Sequence, residues 1–114
     1  MIRRLLSPAG TPAVYEEIRL PSALFETVSA AVIDKYECML YSMYESAFDV
    51  RIVYVEERLK SQAAEGEVAS RLNVETGFPL LVIDRVAYTY GDRPVELRRS
   101  YCNTAEHHYR NRIL

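Results

Sequence analysis

Apolar and polar residues alternate toward both ends of the chain and fall at helical spacing in its middle. Ile2 to Leu6 is apolar enough for a strand, and Ser7-Pro8-Ala9-Gly10 turns it, since proline fixes φ and glycine accepts positive φ. A return strand is expected from about Ala13 to Arg19. It sets Val14, Ile18 and Leu20 on one face and Tyr15, Glu17 and Arg19 on the other. Glu16 breaks the apolar face. Leu20-Pro21-Ser22 ends the strand, and Ser22 offers an N-cap for a short helix through Leu24 and Phe25. Residues 28–36 are apolar without a decided period.

From about Glu37 to Ser46 the period is helical, with Leu40, Met43, Tyr44 and Ala47 at i, i+3, i+4 and i+7, and Phe48-Asp49 closes the helix. Val50 to Leu59 alternates as a long strand of β-branched and aromatic residues. Glu65 to Leu72 has helical composition and ends at Asn73, a left-handed cap. Leu80 to Tyr90 and Val95 to Cys102 are strands joined at Gly91-Asp92-Arg93-Pro94, and His107 to Leu114 offers an edge strand. This order predicts an α+β domain, an antiparallel sheet with helices on one side. One echo runs through it. Arg4, Gly10, Pro12 and Glu16 are repeated approximately by Arg85, Gly91, Pro94 and Glu96, each a strand arginine, a turn and a glutamate on the return strand.

Length and composition narrow the reading. The 114 residues make one domain, and 49% hydrophobic residues suffice for a core. The longest apolar runs, such as Leu80 to Ile83, are too short for a bilayer, and no charged-then-apolar leader opens the chain. A net charge of −2 argues against a free-standing nucleic-acid binder, which carries a basic surplus. Cys38 and Cys102 lack CxxC spacing and read as two free thiols in a reducing cytoplasm.

No GxSxG elbow, P-loop, HExxH or glycine-rich dinucleotide turn is present. The candidates are therefore polar residues on otherwise apolar faces. Glu16 is either a carboxylate facing a ligand or half of a buried ion pair with Arg4 across the hairpin, and both can hold together. Glu96, Arg98, Ser100 and Cys102 form a polar row on one strand face, which is either part of a site or a solvated surface. Tyr41, one of nine tyrosines, is a core or rim residue or a ligand contact. His107 and His108 are adjacent, so on a strand they point apart and do not share an ion with Cys102; no metal is expected.

The order of these segments resembles the UTRA effector-binding domain of the HutC branch of GntR-type regulators, over nearly the whole chain. The family's arginine-bearing strand, G-x-P turn and return-strand glutamate match Arg3-Arg4, Gly10-Thr11-Pro12 and Glu16, followed by LPSALF and Met39-Leu40-Tyr41. Then come EERL, RLNV and, most specific, GFPLLVIDRVAYTYGDRPVELRRSY. The resemblance implies a chorismate-lyase-like fold that senses a small molecule, forms a homodimer in the cytoplasm and uses no cofactor. It also implies that residues 1–114 form this domain, incomplete at its N-terminus. DNA would be reached through a winged helix-turn-helix absent from this chain. By the same resemblance the ligand contacts are Arg4, Glu16, Tyr41 and Glu96, with Arg98 and Ser100 beside them on the polar row. Leu6, Met39 and Cys102 stand where relatives have Arg, Ser and Tyr, which weakens the case for a phosphate. The alternatives are a lyase-like enzyme on the same fold and a stand-alone ligand-binding module.

Overall fold

A computed structural model describes residues 1–25, 28–36 and 39–113. The elements in order are β1 (Ile2–Leu6), β2 (Val14–Arg19), α1 (Ala30–Lys35), α2 (Leu40–Phe48), β3 (Tyr54–Ala63), α3 (Gly66–Leu72), β4 (Pro79–Thr89) and β5 (Arg93–Cys102). The five strands form one antiparallel sheet in the order β1-β2-β5-β4-β3. The chain is thus the expected α+β domain. β5 closes it, lying between the N-terminal hairpin and β4 and pairing along both edges.

Register decides which side chains share a face. Arg4, Glu16, Ser100 and Ile83 stand in one cross-strand row, and Ile18, Arg98, Arg85 and Glu57 stand in the next. Pairing slips between Ala87 and Tyr88: Ala87 faces Glu96 and Tyr88 faces Pro94, so Val95 is an extra residue. Such a bulge re-aims side chains, and here both Val95 and Glu96 are buried. Strict alternation had placed them on opposite faces.

The helices divide between the two faces. α1 and α2 cover the face that carries Ile18 and Val95, where Phe25, Met43, Tyr44 and Val50 complete an apolar core. α3 lies on the opposite face, where Ala69 and Leu72 pack against Tyr15, Val82, Leu80 and Tyr101. One helix thus departs from a one-sided layer, because Tyr15, on the face shared with Glu17, is an apolar surface in need of cover.

Several boundaries differ from expectation. Residues 22–24 form a turn, in which the Leu24 and Phe25 amides both donate to the Pro21 carbonyl at 3.1 and 3.2 Å. The helix begins instead at Ser29, whose hydroxyl accepts from the Val32 amide. The expected helix from Glu37 begins at Leu40, with Glu37 and Cys38 outside the described residues. Leu40, Met43 and Tyr44 are buried in it, but Ala47 is exposed; Phe48 takes the fourth contact, meeting Phe25 edge-on at 5.2 Å. β3 starts at Tyr54 and not at Val50, because Val50 is buried in the helix-side core and its amide closes α2 through the Tyr44 carbonyl. Its far end is polar, which an edge strand tolerates. Residues 107–113 form no strand; with Arg110, Asn111 and Arg112 between them, Tyr109 and Ile113 make too short an apolar set to hold an edge. No described helix is long and apolar enough to cross a membrane.

Candidate functional site

The polar row on β5 is buried because α1 and α2 cover its face of the sheet, while Leu97 and Arg99 on the other face of the same strand are exposed. Glu16, Glu96, Arg98 and Ser100 are 5%, 2%, 9% and 8% exposed, so the reading of a solvated strand face is overturned. Glu16 is the hub. Arg4 Nε donates to its Oε1 at 2.6 Å, Ser100 Oγ donates to its Oε2 at 2.7 Å, and Arg98 Nη1 lies 3.8 Å from Oε2. Arg98 Nη2 donates to Glu96 Oε2 at 2.9 Å, and the Tyr44 hydroxyl on α2 donates to the same oxygen. Among the described residues, Glu96 Oε1 and Arg98 Nε are buried without a hydrogen-bond partner.

Arg98 stands opposite Arg85 across the β4–β5 pair. Like charges facing across strands destabilise a sheet, so each arginine needs its own carboxylate. Arg98 has Glu96, while Arg85 donates from Nε and Nη2 to Glu57 Oε2 at 2.9 and 2.7 Å. The echo seen in the sequence is therefore only half realised: Arg4 faces Glu16, but Arg85 pairs with Glu57 on β3 and not with Glu96. Tyr41 on α2 joins the two arginines. The Arg98 guanidinium lies 5.5 Å from its ring centroid, a cation–π distance, and its hydroxyl lies 3.5 Å from Arg85 Nη1. The Tyr109 hydroxyl, from the segment after β5, donates to Glu57 Oε1.

The charges set the proton affinities. Burial acts to raise the Glu16 carboxyl, but the hydrogen bonds from Ser100 and Arg4 and the charges of Arg4 and Arg98 outweigh it and hold it below the usual range. Glu57 is lowered likewise, against its burial, by Tyr109 and Arg85. Burial and the Glu96 charge push the Tyr44 hydroxyl far up, so it stays a donor. Burial and the Glu16 charge raise the Cys102 thiol to about 11, so it is protonated at neutral pH. No group of three metal-ligating side chains occurs among the described residues.

A cleft of about 250 Å³ opens beside this cluster, lined by Arg4, Met39, Leu40, Tyr41, Ser42, Arg85 and Arg98. The N-terminus of α2 forms one wall. Its N-cap, Met39, supplies no side-chain hydrogen bond and its first turn holds no acidic residue, so neither offsets the partial positive charge of the helix end. A larger cleft of about 420 Å³ is lined mainly by side chains of the opposite face of the sheet, among them Glu17, Asp84, Val86, Leu97 and Arg99, and Arg98 borders it as well. Its Asp84–Arg99 and Glu17–Arg3 pairs are solvent-exposed, and it contains none of the buried carboxylates. A ligand site joins a pocket to converging polar groups and perturbed proton affinities; of the two clefts the smaller is lined by Arg4 and Tyr41 of the buried cluster as well as Arg98, so it is the candidate.

All six residues singled out in the sequence (Arg4, Glu16, Tyr41, Glu96, Arg98 and Ser100) meet in this one cluster. Sequence reasoning missed Tyr44, Arg85 and Glu57. Arg85 carried a usable signal, since it interrupts the apolar set Leu81, Ile83 and Ala87 just as Glu16 interrupts Val14 and Ile18.

Comparison with known proteins gives a consistent picture. The family model of the UTRA domain matches residues 1–108. The ligand-binding domain of a protein described as a GntR-family transcriptional regulator from Bordetella bronchiseptica superposes with a TM-score of 0.91 at 41% identity, covering 98% of this chain and 70% of that one. The effector domain of PhnF from Mycobacterium smegmatis has the same fold, with a TM-score of 0.83 at 17% identity, covering 98% of this chain and 67% of that one. Among curated proteins, the HTH-type transcriptional regulator Rv0792c of Mycobacterium tuberculosis is 28% identical over 97 residues, 84% of this chain. The chain spans 36% of that protein's length.

Proposed function

The chain belongs to the UTRA domain family, and from that premise we propose that it is the small-molecule sensing and dimerisation domain of a bacterial GntR-type regulator of the HutC branch. In this reading Arg4, Glu16, Tyr41, Glu96, Arg98 and Ser100 form the effector site, and an N-terminal winged helix-turn-helix outside this chain binds DNA. The observation that carries the proposal is the buried cluster centred on Glu16, opening into a cleft under α2. Buried ion pairs are poor sources of stability compared with apolar packing. A network of this size beside a cleft is better explained by a ligand that uses it.

Control follows from linkage. An effector shifts DNA affinity only by its differential affinity for two arrangements of the domain. The cleft is walled by β1 through Arg4 and by α2 through Tyr41, so a ligand spanning it fixes the outermost strand against the helix layer. A DNA-binding head outside this chain would respond to that change in how the edge strand sits against the helices. Two such domains related by a two-fold axis would set the spacing of two heads.

The test is a thermal-shift screen of the chain against small polar metabolites. A true effector stabilises the wild type, fails to stabilise Tyr41→Ala, and still stabilises Asp84→Asn, which lies on the other face. Stabilisation that survives Tyr41→Ala and disappears in Asp84→Asn would refute the site.

A further inference from the structure

We propose that Arg85 is the specificity-determining residue of the cleft, reading an oxyanion of the effector, with Glu57 and Tyr109 as its positioning residues. The proposal rests on the cleft being the effector site. Three arginines line it, and they are not equivalent. Arg98 is 9% exposed and lies between the carboxylates of Glu96 and Glu16, beneath the Tyr41 ring. Arg4 is held by Glu16 at 2.6 Å and has a further interaction beyond it. Both charges are committed to the cluster.

Arg85 differs in two respects. Its side chain is 28% exposed, and both of its short hydrogen bonds end on a single oxygen, Glu57 Oε2. A guanidinium has five donors in a fixed plane. Among the described residues its Nη1 has only the 3.5 Å approach to the Tyr41 hydroxyl, and Tyr41 and Arg85 share the wall of the cleft. That edge has donors to give to a ligand.

The remaining contacts hold Arg85 in place. Glu57 is the one residue of β3 that is half-buried, the others being exposed, and its other oxygen accepts from Tyr109. The carboxylate is thus fixed from two sides, and Arg85 is aimed by it. The cluster's internal charges cancel, with Arg4, Arg85 and Arg98 set against Glu16, Glu57 and Glu96. The N-terminus of α2, which Met39 does not cap with its side chain, adds a partial positive charge at the mouth. A neutral cluster under a positive rim suits an effector whose acidic group sits at the rim and whose polar body reaches the carboxylates.

The experiment is a nuclear magnetic resonance titration of the full chain with sodium acetate and, separately, inorganic phosphate, against sodium chloride at matched ionic strength. Saturable shifts of the Arg85 Nε–H signal and of the Tyr41 and Ser42 amides are expected with at least one oxyanion and not with chloride. Which oxyanion binds distinguishes a carboxylate from a phosphate. Arg85→Gln should weaken that binding about ten-fold or more, and Arg85→Lys, which keeps the charge and loses the planar edge, by less. Tyr109→Phe should weaken it about two- to three-fold, and Arg71→Gln on α3 should leave it unchanged. Equal affinity in the wild type, Arg85→Gln and Arg85→Lys would overturn the role of Arg85 while leaving the cleft in place. No saturable shift with either oxyanion would overturn the oxyanion assignment. Shifts at Val86 and Leu97 in place of Tyr41 and Ser42 would instead show that the cleft is not the site.

Discussion

Replacing Glu16 with glutamine keeps the volume and one acceptor oxygen but removes the charge at the centre of the cluster. Arg4 at 2.6 Å, Ser100 at 2.7 Å and Arg98 at 3.8 Å all lose a carboxylate. Breaking a fully buried pair costs about 3–5 kcal/mol, but Arg98 retains Glu96, and the Arg4 side chain is 19% exposed and regains some water. A loss of about 2–3 kcal/mol follows, within the stability of a domain of this size, so the variant folds with Tm lowered by roughly 8–12 °C. The matched control is Asp84→Asn, which removes a carboxylate from the Arg99 pair, whose side chains are 47% and 30% exposed. That change should cost about 0.2–1 kcal/mol. Urea unfolding of the three proteins at pH 7 measures both differences. The pH dependence supplies a second signature. Glu16 is held below its ordinary value of 4.5 in the folded protein. Its contribution is therefore fully present above pH 4.5 and is lost as pH falls through the lowered folded value. The gap between wild type and Glu16→Gln should shrink in acid. A loss at pH 7 no larger than that of Asp84→Asn would refute the claim that Glu16 is a buried hub.

Tyr44→Phe removes one of two donors to Glu96 Oε2. It should cost about 1–2 kcal/mol in urea unfolding with an unchanged m-value. Gly91 has φ +70° and open space around an added Cβ, so Gly91→Ala should cost about 1 kcal/mol through the backbone alone. Light scattering across a dilution series should give twice the mass of the 13.1 kDa chain, with a monomer at high micromolar concentration counting against a dimer. Gel-shift assays of this chain alone, with its net charge of −2, should show no sequence-selective DNA binding at physiological salt.

Local pattern carried much of this structure and failed where long-range pairing decided. Asn73 was legible as a left-handed cap because it follows a helical run, and it has φ +54°. Glu16 was legible because a carboxylate in an apolar row needs a partner. The row from Glu96 to Ser100 was ambiguous, since the same residues suit a solvated strand face, and nothing local shows that the helices cover this face of β5. The Val95 bulge was hidden for a related reason: it is a property of the β4–β5 register. Arg85 showed as an interruption in an apolar row, but its pairing with Glu57 required two facts at once, the pairing of β3 with β4 and its alignment, and the displaced start of β3 obscured both. The helix from Glu65 was legible, but its place over Tyr15 was not, because Glu17 and Arg19 made that face read as polar.

The central claim is that a small molecule binds under α2, on the face of the sheet that carries the buried carboxylates. A crystal structure of the chain with a metabolite that stabilises it tests this most directly. The account predicts the ligand between Tyr41, Arg85 and Arg98, with a polar atom within hydrogen-bond reach of the cluster centred on Glu16. A ligand found instead in the larger cleft on the opposite face, against Asp84, Val86 and Leu97, would contradict it.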